Sequence, residues 1–189
     1  MIELNKDQQQ KLLTLARKTI GEYLENEKLP EPDLEKEFKE DIFREKCGAF
    51  VTIHKNGKLR GCIGYIRGIK NIPETIIDMA KAAAFNDPRF PTLAKEELDQ
   101  VDIEISILSP IEKVEDPEEI EVGRDGLIVS NSFRTGLLLP QVALEYGWTE
   151  HQFLENTCHK AGLPADAWKW NDTTIEKFSA QVFSEEDIE

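Results

Sequence analysis

Asn56-Gly57 is flanked on both sides by alternating residues, "AFVTIHK" before it and "KLRGCIGYI" after it. No other feature constrains the chain as much. A two-residue Asn-Gly connection takes a left-handed backbone at both positions, and its twist matches that of antiparallel strands. The two runs are therefore expected to pair directly. With Lys55 opposite Lys58, counting outward sets Ile53 against Arg60, Thr52 against Gly61, Val51 against Cys62 and Phe50 against Ile63. That register puts Ile53, Arg60, Val51, Cys62 and Gly64 on one face. His54, Leu59, Thr52, Gly61, Phe50, Ile63 and Tyr65 take the other. Both faces are mixed, so both are expected to be covered at least in part.

The rest of the chain supplies partners for this hairpin. Leu12, Leu15, Ala16, Ile20, Tyr23 and Leu24 recur at helical spacing over residues 6–26, and Asn5 with Gln8 makes a capping box. Leu34, Phe38 and Ile42 predict a second, exposed helix over 33–45. "NIPETIIDMAKAAAFN" reads as a helix with Pro73 in its first turn, stopped by Pro88 and Pro91. A short helix over Thr92 to Leu98 is expected next. "QVDIEISILSP" alternates strictly, with Val101, Ile103, Ile105 and Ile107 on one face and Asp102, Glu104 and Ser106 on the other. Asp116-Pro117 predicts a capped turn, Asp125-Gly126 a second turn, and "GLIVSN" and "GLLLP" short strands around "SFRTG". Thr149 and Gln152 cap a helix that Gly162 and Pro164 end. "TTIEKFSAQVF" predicts a last strand, and the acidic tail 185–189 is expected to fray. Strands and helices intermingle without regular βαβ spacing. The expected fold is therefore α+β: a mainly antiparallel sheet with flanking helices, in one domain over residues 4–184.

Charge narrows the partners. The chain has 189 residues and a formal net charge of −14, from 37 acidic against 23 basic residues. Such a surface repels phosphate backbones and anionic lipid, so neither nucleic acid nor a membrane is expected, and a small molecule or another protein is. Cys47, Cys62 and Cys158 share no regular spacing, which argues against a disulfide framework. With His54, His151 and His159 they also lack the paired spacing of a zinc site. There is no phosphate loop, nucleotide fingerprint or G-x-S-x-G elbow, so no metal and no cofactor are expected. The polar start and the lack of an apolar run near the roughly 18 residues of a membrane span point to a reduced, cytoplasmic protein.

Three groups of residues carry candidate chemistry, each beside a plainer reading. Cys62 is a candidate nucleophile, because a thiol with access and a nearby cation is activated. Arg60 stands two residues away, and Gly61 and Gly64 leave room for a ligand or for another backbone. Equally, cysteine is a common small core residue, and glycines serve bulges and close packing. Asp87 and Arg89 flank a proline in a loop and suit either a bound anion or a helix stop with a structural ion pair. Glu104 can move protons, or belong to the solvated row of a half-buried strand. A site built from Arg60, Cys62, Asp87, Arg89 and Glu104 follows if the hairpin, the "DPRF" loop and the "DIEIS" strand converge. Cys158 and His159 are sequence neighbours about 100° apart on a helix, so Cys158 is expected in the core.

At "LRGCIG" the chain resembles the AMMECR family, whose prokaryotic members are called AmmeMemoRadiSam system protein A. Six blocks carry the likeness in order: "GAFVTI…GKLRGCIG", "AKAAAFNDPRFPTL", "EL…VDIEISILSP", "IEVGRDGLIVS", "GLLLPQVALEYGW" and "FLENTCHKAGLP". Thr92 departs from the common pattern, where a second proline is expected after "RFP". The resemblance implies an α+β domain of two unequal lobes with the signature near the cleft between them. It also implies an association with a Memo-like protein and a radical SAM protein. It names no reaction. Two functions stay open: an enzyme or enzyme component acting on a small polar or anionic metabolite, and a non-catalytic adaptor for those partner proteins. In the first, Arg60, Arg89 and the glycines would hold the substrate, and Cys62, Glu104 and Asp87 would do the chemistry.

Overall fold

The computed structural model describes residues 3–187. The chain divides into two compact units, Met1–Leu108 with Gln181–Glu189, and Ser109–Ala180. In the first unit, α1 (Lys6–Asn26) begins at the expected capping box, Asn5 accepting from the Gln8 N–H and Gln8 accepting from the Asn5 N–H. Its stripe of Leu12, Leu13, Leu15, Ala16 and Ile20 is buried. The exposed helix expected over 33–45 is instead two short pieces, α2 (Leu34–Glu37) and a 3-10 turn over Asp41–Arg44. Phe38 and Phe43 explain the break. Both are buried and meet edge to face at 5.0 Å, which a continuous helix with residues five apart does not allow.

The hairpin forms as β1 (Ala49–Lys55) and β2 (Lys58–Tyr65), and Asn56 and Gly57 both take positive φ. α3 (Ile72–Phe85) is capped by Asn71 and carries Pro73 in its first turn. The next short helix is a 3-10 segment at Lys95–Gln100, a little later than expected. β3 (Val101–Leu108) pairs antiparallel with β1 across its whole length. The sheet of this unit runs β2-β1-β3, with residues 181–184 of the last strand beyond β3. Val51, Ile53, Ile103, Ile105 and Ile107 form its apolar face and share one core with the buried faces of α1 and α3. The tail is not frayed over its described part. Glu185 pairs with Arg17 and accepts from the Ile103 N–H, and the Glu186 N–H donates to Asp102. Residues 188–189 lie outside the described residues.

In the second unit, β4 (Glu112–Lys113), β5 (Asp125–Asn131), β6 (Arg134–Leu138) and β7 (Thr173–Ser184) pair antiparallel in the order β4-β7-β5-β6. Asp125-Gly126 is not a turn but the start of β5; the turn falls at Gly123, with φ +91. The Asp125 carboxylate is buried and accepts from the Glu121 N–H and from Arg124, so a residue with turn chemistry sits inside a strand. Between β6 and α5 (Glu150–Lys160), Pro140–Tyr146 forms α4, which periodicity did not reveal. Phe153, Leu154 and Cys158 of α5 are buried, and His159 is exposed. No helix among the described residues is long and apolar enough to cross a membrane.

Candidate functional site

One extra residue in β2 decides which side chains share a face. Lys55 pairs with Lys58 and His54 with Leu59, as counted from the turn. Beyond them the register shifts: Ile53 opposes Gly61, Thr52 opposes Cys62 and Val51 opposes Ile63. Arg60 is the extra residue of a β-bulge, which moves every later β2 side chain to the other face. Cys62 therefore does not face Val51. It stands opposite Thr52, and Thr52 in turn stands opposite Glu104 on β3. Directly opposed residues point to the same side of a sheet. Cys62, Thr52 and Glu104 form one row, with Cys62 and Glu104 about 10 Å apart by strand spacing. The Thr52 hydroxyl donates to Cys62 Sγ at 3.3 Å. His54 lies on the same face, opposite Asp102.

The loop after α3 returns to hold Cys62 by its backbone. β2 is the edge strand, and the N–H and C=O of Cys62 point away from β1. Asp87 Oδ2 accepts the Cys62 N–H at 2.9 Å, and Arg89 Nη2 donates to the Cys62 carbonyl at 3.1 Å. The clamp is itself braced. Arg89 donates to Asp87 from its backbone N–H at 3.1 Å, from Nε at 2.9 Å and from Nη2 at 2.7 Å. The Asp87 side chain is 2% exposed and that of Arg89 is 54% exposed. The Arg89 guanidinium, together with two backbone N–H groups, holds the Asp87 carboxyl well below the usual carboxylate range against the cost of burial. Asp87 is thus a fixed anion with both oxygens occupied. Its side chain stands in for a neighbouring strand at one rung of the edge.

Arg60 is committed elsewhere. It grips Glu97 from Nε and Nη2 at 3.2 and 2.9 Å and donates from Nη1 to the Pro91 carbonyl at 2.9 Å. Lys55 adds a bond to the same carboxylate at 2.9 Å. Arg60 and the Ala94 N–H, with Lys55, bring the Glu97 carboxyl down to about 2. The bulged arginine therefore ties the hairpin to the "PTLAKEE" segment. The two glycines of the signature are filled from within. A side-chain carbon at Gly61 would stand 2.2 Å from the Ala83 carbonyl oxygen of α3, and one at Gly64 would stand 2.2 Å from the Phe50 ring. Of the two openings expected there, it is another backbone that approaches Gly61, and a cross-strand aromatic that covers Gly64.

Of the five residues expected to converge, Cys62, Asp87 and Arg89 touch, Glu104 shares the row of Cys62, and Arg60 faces Glu97. Burial pushes the Glu104 carboxyl up, Asp102 and Asp187 push it further, and His54 opposes them. Burial likewise raises Asp102, with Glu186 and Glu185 adding to it. A carboxyl shifted upward exchanges protons closer to neutrality than an ordinary one. Thr52, His54 and Glu97 were missed from the sequence. The first two were lost with the register, and a bulge at Leu59-Arg60-Gly61 was the one signal that places them. Cys47 is buried with its thiol pushed up to about 12, and burial also raises Cys158. Among the described residues no group of three or more His, Cys, Asp or Glu side chains is arranged to hold a metal ion.

Known proteins resemble this chain over nearly its full length. A protein of Methanothermobacter thermautotrophicus is 46% identical over 192 residues, spanning 97% of each chain. One from Thermococcus gammatolerans is 46% identical over 185 residues, 93% of this chain and 89% of the relative. The crystal structure of uncharacterized protein PH0010 from Pyrococcus horikoshii superposes with a TM-score of 0.85 at 44% identity, covering 93% of this chain and 90% of the other. Their likeness extends through both units, and the AMMECR1 family model matches residues 13–183. The chain therefore belongs to the AMMECR1 family.

Proposed function

We propose that the polar face of β1, β2 and β3 is the working surface of an enzyme or enzyme component that acts on a small polar or anionic metabolite. Cys62 supplies the nucleophile and Glu104 carries protons. Arg89, half exposed at the rim, orients the substrate, and Asp87 positions Cys62 through its backbone. Arg60 acts indirectly, by holding the loop that follows the clamp. The observation that carries this reading is the contact of Thr52 Oγ1 with Cys62 Sγ in the row that ends at Glu104. A thiol that serves only as core filling needs neither a hydroxyl partner nor a half-buried carboxyl at the end of its row. The test is a metabolite comparison of wild type, a deletion strain and a Cys62→Ser allele at the native locus. The expected result is that the deletion and Cys62→Ser strains accumulate the same compound. A Cys62→Ser strain with the wild-type profile, where the deletion differs, would overturn the assignment.

A second reading has its own support. Leu59, Tyr65 and Ile69 are 42%, 38% and 66% exposed along β2 and the turn after it. Such a stretch suits a non-catalytic adaptor whose signature strand docks a Memo-like or radical SAM protein. In that case Cys62→Ser is silent, and charged substitutions at Tyr65 or Ile69 reproduce the deletion.

A further inference from the structure

The two edge strands of this chain are treated differently. At β2 the outward N–H and C=O of Cys62 are capped by Asp87 and Arg89. Among the described residues no such cap meets the outward backbone of β6. Asn131 pairs with Arg134 across the two-residue turn Ser132-Phe133, which makes that pair the hydrogen-bonded one. The pattern alternates, so Ser130–Thr135 and Ile128–Leu137 are non-hydrogen-bonded pairs. The backbone groups of Thr135 and Leu137 therefore point away from β5, toward the side where β6 has no strand neighbour. At the end of this edge Phe133 is fully exposed, at 104% of its reference area.

We infer that β6 pairs antiparallel with β6 of a second copy of this chain, about a two-fold axis at Gly136. In that register Thr135 faces Leu137 of the second copy, and Leu137 faces its Thr135. Four hydrogen bonds use all the outward groups of both residues. Phe133 comes to lie against Leu139 of the second copy on the same face, which covers the exposed ring. The strand is thus complementary to itself. Charge argues for a copy of this chain as occupant. Acidic residues make up 37 of 189, about one in five, yet residues 132–144 contain none. This is a stretch where two chains of net charge −14 can meet without opposing carboxylates. The one charge in the strand, Arg134, faces Leu138 of the second copy and stays roughly 14 Å from the other Arg134 by strand rise.

The test is light scattering on the whole chain from low to high micromolar concentration, in ~0.5 M salt to screen the net charge. Two variants accompany it: Phe133→Glu, and Thr135→Pro, which removes an outward donor without touching a bond to β5. The wild type is expected to move from monomer toward twice the monomer mass. Both variants, folded by circular dichroism, are expected to raise the dissociation constant about tenfold or more. If Thr135→Pro does not fold, Phe133→Glu alone decides. A wild type that stays monomeric throughout the range, or a dimer that no folded variant weakens, would overturn the proposal.

Discussion

Asp87 shows how a residue can look chemical and act by position. An aspartate beside an arginine in a proline loop suits an anion site equally well, and nothing local decides between the two. The decision comes from a strand 25 residues earlier in the chain, whose Cys62 N–H needs an acceptor. Because its folded pKa is depressed, the Asp87 carboxylate stabilises the fold above the ordinary carboxylate range and loses that contribution as pH falls through the folded value. Asp87→Asn is therefore expected to cost about 2 kcal/mol near neutrality, the size of a charge-assisted hydrogen bond. Below about pH 4 the gap between wild type and variant should close by roughly 1 kcal/mol per pH unit. Urea titrations at several pH values check this. A gap that stays constant down to pH 3 would mean that Asp87 is not held as an anion.

At the level of elements, the hairpin is legible from Asn56-Gly57, and the register set by that turn holds for its first two rungs. It changes at Arg60, where the bulge answers to contacts far away in the chain: the Ala83 carbonyl against Gly61, and Glu97 against Arg60. Local alternation carries no record of either. The helices with strong caps, α1, α3 and α5, were legible for the opposite reason, since Asn5, Asn71 and Thr149 satisfy their own helix ends. α4 has seven residues and no side-chain cap, and its first turn overlaps an apolar run that reads as strand. Gly61→Ala tests the bulge directly. The added carbon meets helix backbone rather than a movable side chain, so a loss of about 1–3 kcal/mol is expected. Gly57→Ala meets no atom within 4 Å but holds φ at +70°, and should cost about 1 kcal/mol through backbone strain alone. Equal and negligible effects at both positions would contradict the packing described at Gly61.

For the whole molecule, the fold class was legible because periods of two and of 3.6 residues alternate along the chain with clear breaks. The family was legible at "LRGCIG" and its companion blocks. Of the candidate site, Cys62, Asp87, Arg89 and Glu104 were named, but the sequence register put Cys62 opposite Val51, on the face away from Thr52 and His54. The central claim is that Cys62 differs in kind from the other two cysteines. Cys47 and Cys158 are buried, with thiols that burial disfavours as thiolates, whereas Cys62 is only half buried and bonded to Thr52. Alkylation of the native protein with iodoacetamide at neutral pH, read residue by residue by mass spectrometry, tests this most directly. The structure predicts modification at Cys62 alone, with Cys47 and Cys158 reacting only after unfolding. A Cys62 that stays unmodified until the chain unfolds would contradict it.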